Sequence, residues 1–141
     1  MKRFMAALLV CALALCASAL ADTRLSEVQM LYEDYDGNQA NQTVADEATL
    51  EELEQMLMRA RKTPGELEGC TMNCTLLCTL DNGEIYDIAV ATDGCPYIYS
   101  ELTKTAYSLG DDYDAFWAIF GQVREGMGFD ASSFFDLDNE D

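Results

Sequence analysis

The sequence predicts an α+β domain: an antiparallel sheet of four to five strands, one long helix packed on one face, and a short C-terminal helix. Three observations predict it. Residues 27–35 and 72–80 alternate apolar and polar side chains with the period of a strand. Asp36-Gly37 and Asn82-Gly83 punctuate those stretches with the dipeptides that close tight hairpins. Between them lies a segment with helical spacing, acidic at its start and basic at its end.

In the first strand Val28, Met30 and Tyr32 share one parity, while Leu31 and Tyr35 carry apolar surface to the other. Asp36-Gly37 turns the chain, and the short polar stretch 38–44 folds back as a second strand. The helix is expected over 46–62. Asp46 or Thr43 caps it, Glu47, Glu51 and Glu52 suit the positive end of its dipole, and Arg59, Arg61 and Lys62 suit the negative end. Leu50, Leu53, Leu57 and Ala60 form one apolar stripe, widened by Met56. Thr63-Pro64-Gly65 stops it after about 17 residues, or roughly 25 Å.

The clearest strand follows, with Met72, Cys74, Leu76, Cys78 and Leu80 alternating with Asn73, Thr75 and Thr79. Asp81-Asn82-Gly83 returns the chain as an antiparallel partner over 84–92. A two-residue loop would pair Cys78 with Asp87 and Cys74 with Ala91. A three-residue loop with Gly83 as a bulge sets Leu80, Cys78, Leu76 and Cys74 against Glu84, Tyr86, Ile88 and Val90; this makes a mostly apolar face and is preferred. Residues 96–100 read as a further strand with Tyr97 and Tyr99 on one side, and 103–109 as another strand or a loop. Asp111-Asp112 opens a short helix whose Phe116, Trp117, Ile119 and Phe120 face the core, with Gly121 helping to end it. Residues 126–141, glycine-rich and then acidic, are expected to form a loosely ordered tail.

The first 21 residues are expected to be a cleavable signal peptide: Lys2 and Arg3, an apolar run from Phe4 to about Leu15, and the cleavage pattern Ala19-Leu20-Ala21. Residues 22–125 then form one domain, exported to an oxidising, extracytoplasmic compartment. Val10 before Cys11 and Leu15 before Cys16 make poor lipidation sites, so both cysteines leave with the leader. Loss of Lys2 and Arg3 leaves six bases against 26 acids, which takes the formal charge from −18 to −20. Such a polyanion is repelled by nucleic acid and anionic membranes, and its first use is solubility; cations, basic proteins and basic wall polymers are the partners its field favours. The sequence contains no histidine, which removes the usual general base, the Ser-His and Cys-His pairs and the commonest zinc ligand.

The order of these features resembles a family of small secreted or lipid-anchored domains of Gram-positive bacteria. Carrying the resemblance are the Asp-Gly hairpin, the leucine-striped helix, a cysteine ahead of alternating strands joined at Asp81-Asn82-Gly83, the segment Ala89-Val90-Ala91-Thr92-Asp93-Gly94-Cys95, and Phe116-Trp117 with Phe120. It covers residues 27–121 and implies a domain shape without implying a chemistry.

Four cysteines remain after the leader: Cys70, Cys74, Cys78 and Cys95. Strand residues four apart are about 13 Å apart, beyond the roughly 4.4–6.8 Å a disulfide spans, so Cys74 bonds neither Cys70 nor Cys78. Cys70 and Cys95 stand at the open ends of the hairpin and are expected to form a disulfide, closing a loop of 26 residues and stabilising by roughly 3 kcal/mol. Cys74 and Cys78 point together into the core as small hydrophobes. A thiolate metal or redox site would need short knuckles, which three cysteines along one strand lack.

Glu33-Asp34-Tyr35-Asp36-Gly37-Asn38 invites a calcium reading, but its glycine falls at the wrong place for an EF-hand loop, and an acidic hairpin turn explains it better. Asn41-Gln42-Thr43 and Asn73-Cys74-Thr75 match the glycosylation pattern, the second inside a core strand. Tyr97, Tyr99 and Tyr107, with Tyr113, Phe134 and Phe135, exceed what the core needs and mark a candidate binding surface. The sequence therefore points to a secreted, non-catalytic acidic domain without cofactor or metal, which binds a protein or cell-wall component through a sheet edge or the tyrosine-rich segment. The alternative is a module that binds divalent cations or responds to redox state, through its acids or through Cys74 and Cys78.

Overall fold

A strand that must bury one face against helices places its apolar residues on one parity, and the first strand, β1 (Leu25–Glu33), does so with Val28 and Met30 fully buried. The structure, a computed structural model, describes residues 23–63, 67 and 69–128. The expected leader over 1–21, and all but the first three residues of the expected tail, lie outside them. The other elements are β2 (Gln39–Val44), α1 (Glu47–Arg59), β3 (Arg61–Lys62), β4 (Cys74–Leu80), β5 (Ile85–Val90), β6 (Tyr97–Ser100), β7 (Thr105–Ser108), α2 (Tyr113–Ile119) and α3 (Gly121–Gly126). The fold class is α+β as expected, with a single antiparallel sheet of seven strands in the order β2-β1-β4-β5-β6-β7-β3.

Seven strands replace the expected four to five, and the expected long helix is shorter, for a linked reason. Asp46 does cap α1, accepting the Thr49 N–H at 3.0 Å. The helix then ends after 13 residues, about 20 Å. Ala60 swings to ψ 133°. Arg61 and Lys62, expected as the last helical turn, pair with Ser108 and Tyr107 of β7, and the Thr63 N–H donates to the Ala106 carbonyl at 3.0 Å. The backbone thus exchanges a helical turn for sheet hydrogen bonds that need β7, some 45 residues away in sequence. The segment read as either strand or loop, 103–109, contains β7.

The β4–β5 hairpin adopts the three-residue loop. Gly83 sits at φ +83°, its N–H donating to the Leu80 carbonyl at 2.9 Å, and Cys74, Leu76 and Cys78 pair with Val90, Ile88 and Tyr86. In this register β1, β4 and β5 present one continuous apolar face, on which Leu50, Leu53, Met56 and Leu57 of α1 pack, with Ala60 just beyond its end. Phe116, Trp117 and Phe120 complete that core. Phe116 meets Trp117 edge-on with ring centroids 5.7 Å apart, and Phe120 at 5.2 Å.

The short helix α2 ends at Ile119, next to Gly121 as expected, and Gly121 then opens α3. The break lies at Phe120, where φ −99° and ψ 39° leave backbone groups without helical partners, and Gln42 of β2 supplies them. Its Nε2 donates to the Ile119 carbonyl at 2.6 Å, and its Oε1 accepts the Gln122 N–H at 3.0 Å. The far end of α3 lies against the same strand, since a Cβ on Gly126 would stand 2.6 Å from the Ala40 Cβ. Helix propensity alone favours alanine over glycine by roughly 1 kcal/mol, but this overlap reverses the sign. Gly126→Ala is expected to destabilise by about 1–3 kcal/mol in urea unfolding, and Ala40→Gly in the same chain to recover most of the loss. A Gly126→Ala chain more stable than the parent would show that α3 does not rest on β2.

Candidate functional site

Beyond β4 and β5 the two strands continue to approach. The Thr92 N–H donates to the Thr71 carbonyl at 2.9 Å, and the Thr92 hydroxyl bonds the Asn73 side chain. Asp93 then leaves the ladder and Gly94, at φ +86°, turns the chain, a conformation open to glycine at little cost. The Asp93 carboxylate fixes both sides of this turn, accepting the Thr71 N–H at 2.6 Å and the Cys95 N–H at 3.3 Å. As a result the Cys70 and Cys95 sulfurs and an Asp93 oxygen all lie within 4.8 Å of one another. Cys70 and Cys95 are brought together as the hairpin register implied. All four thiols are free, and no sulfur pair stands at bonding distance among the described residues. Asp93-Gly94-Cys95-Pro96 reads in the sequence as a turn before a site; the structure forms that turn, and it brings Asp93, a residue type that bonds the backbone two residues on, into the cluster as its third member.

The environments divide the thiols. Hydrogen bonding with Cys70, and then the Asp93 carboxylate, push the Cys95 thiol up to about 12. Burial alone pushes Cys74 and Cys78 up to about 12 as well. Those two are 1% and 3% exposed on the core face, with the Cys74 Sγ 3.9 Å from the Met127 Sδ, and they are too enclosed to bind cations or exchange disulfides. Burial raises the Asp93 carboxyl, but its hydrogen bonds outweigh that and hold it below the usual carboxylate value.

The acidic hairpin tip is a self-satisfied turn. The Asp34 carboxylate accepts from the Asp36 and Asn38 N–H groups and from the Asn38 side chain. The candidate tyrosines do not form one surface. Ile98 pairs with Tyr107 across β6 and β7, which turns both inward and leaves Tyr107 1% exposed in the core, its hydroxyl without a partner among the described residues. Tyr97 and Tyr99 have the opposite parity and lie half-buried on the other face of the sheet.

That other face carries no described helix. Across it Asn41, Leu31, Thr75, Ala89, Tyr99 and Ala106 form one row, and Thr43, Gln29, Leu77 and Asp87 the next. Its border strands differ. β3 is two residues long and both are basic, which protects an edge, whereas β2 runs six residues without a charge. The Glu33 N–H points to Asn73 beyond β4 and the Asp34 N–H to Asn38, so even-numbered residues of β1 bond β2. By this alternation the N–H and C=O groups of Gln39, Asn41 and Thr43 face outward from the sheet. An uncharged run over 37–45 in so acidic a chain was the available signal.

The chain matches no family model, no curated protein and no solved structure. No described helix is long and apolar enough to cross a membrane.

Asp93→Asn keeps an oxygen for only one of the two N–H groups, Thr71 and Cys95, that the carboxylate accepts, and it removes the charge beside Cys95, so the thiol value falls and more thiolate is present at a given pH. In the reduced, folded protein at about pH 8, alkylation of Cys95 is expected to quicken by roughly threefold for each pH unit the thiol moves down, because the larger thiolate fraction is partly offset by a weaker nucleophile. Cys74 and Cys78 should keep their slow rates, because burial sets them. A peptide-resolved time course reads this, and equal Cys95 rates in both proteins would remove Asp93 as its electrostatic neighbour.

Proposed function

We propose that the chain is an exported, non-catalytic binding domain that takes up an extended polypeptide segment as an eighth strand along β2. The observation that carries this reading is the outward row of backbone groups at Gln39, Asn41 and Thr43 on a six-residue edge without charge, proline or bulge. The adjoining open face offers Leu31, Leu77 and Tyr99 to side chains of alternate parity. With acids on this face at Glu27, Glu33 and Asp87, and a net charge of −18 over the whole chain, the segment it favours carries lysine or arginine. Export rests on the leader pattern, and the absence of histidine supports a binding role over acid–base catalysis. In an oxidising compartment the Cys70–Cys95 pair closes as a disulfide, giving two protons and two electrons to a disulfide-bearing oxidant and tying the β4–β5 hairpin at its open end.

The test is selection of displayed ten-residue peptides on the chain lacking its leader, with Asn41→Pro as the edge variant. Proline at Asn41 removes an outward N–H while sparing the β1 ladder, so folding should hold within about 1 kcal/mol. Selected peptides should be β-branched and basic, lose at least tenfold in affinity for Asn41→Pro, and weaken as salt rises. Peptides that bind Asn41→Pro equally well would end the edge reading. Binding to soluble wall polysaccharide with no peptide selected would replace the polypeptide partner. Intact mass and peptide mapping of the unreduced protein should show a single Cys70–Cys95 bridge with Cys74 and Cys78 free; four alkylatable thiols after export would exclude the bridge.

A further inference from the structure

We propose that in its dithiol form the Cys70, Asp93 and Cys95 cluster binds one thiophilic divalent cation of the zinc class, so that metal and disulfide are exclusive states of one clasp. The inference is independent of the strand-binding reading.

The donor atoms already converge. They lie within 4.8 Å of one another, and a tetrahedral zinc with bonds of about 2.3 Å to sulfur needs them roughly 3.8 Å apart, which side-chain rotation supplies. Cys70 and Cys95 come from opposite strands of the hairpin, so the site does not depend on the single-strand spacing that rules out Cys74 and Cys78. Asp93 is oriented before any metal arrives, because the Thr71 and Cys95 N–H groups hold its carboxylate. Cys70 and Cys95 are half-buried and Asp93 is exposed, so a cation has a path in and a fourth position remains for water.

Charge selects the ligand. Two thiolates and a carboxylate repel one another, and a dication relieves that repulsion in place of the protons. Binding is the exchange of two thiol protons for one metal ion, so affinity rises with pH, by up to about a hundredfold per unit while both thiols are protonated. Sulfur donors favour zinc or cadmium over calcium or magnesium. Oxidation removes both thiolates together, so the bridged form loses the site.

Cobalt(II) titration of the reduced protein without oxygen tests this, because thiolate ligation gives a near-ultraviolet charge-transfer band that bound carboxylate alone does not. One equivalent should produce the band and zinc should displace it. Cys70→Ser and Cys95→Ser should abolish it, Asp93→Asn should weaken binding at least tenfold, and the bridged protein should show none. No band in the folded dithiol protein, or a band retained in Cys95→Ser, would overturn the site; unchanged affinity in Asp93→Asn would overturn the three-donor assignment.

Discussion

The register of the β4–β5 hairpin is the constraint on which the rest of the molecule depends, and it is set where Gly83 adopts φ +83°. A strand slipped by one residue presents its other parity, so Thr75, Leu77 and Thr79 would face the helices in place of Cys74, Leu76 and Cys78. The same register carries through to the far end of the hairpin. There Thr71 bonds Thr92, Asp93 reaches back across the ladder, and Cys70 meets Cys95. Core and cysteine cluster are therefore two ends of one alignment.

The borders of the sheet follow a different logic. At one side β7 pairs with Arg61 and Lys62, which follow the end of α1, and Arg59 reaches Asp112 with two hydrogen bonds of 2.9 Å, fixing the helix end to the turn ahead of α2. At the other side β2 has α3 packed on its inner face through Ala40 and Gln42 but keeps its outward backbone groups. Two bases on a two-residue strand discourage further pairing, and an uncharged six-residue strand does not. Among the described residues, that asymmetry leaves β2 the less protected edge of the sheet.

Charge acts on two scales. The net negative charge gives a diffuse field that salt screens over about 8 Å at physiological ionic strength. Individual carboxylates are spent locally: Asp46 on α1, Asp34 on the first turn, Asp112 on Arg59, and Asp93 on the turn at Gly94. All four are held below the usual carboxylate value, so the stability they contribute is present above about pH 4 and is lost as pH falls through their folded values.

By itself the sequence determined the elements whose signals are local. The parity of Val28 and Met30, the Asp46 cap, the stripe from Leu50 to Ala60 and the Gly83 bulge each arise from residues within a few positions of one another, and each was legible. Pairing of Cys70 with Cys95 was legible to the level of proximity, because it follows from counting along the hairpin. Only the tertiary structure decided the fate of Arg61 and Lys62, the burial of Tyr107, the role of Gln42 and the place of Asp93. In each case the deciding partner is distant in sequence or beyond a turn: β7, Ile98, the break at Phe120, and Thr71. Propensity is summed over neighbours in sequence, whereas unpaired backbone and buried aromatic surface are resolved by neighbours in space, and where the two disagree the spatial partner prevails.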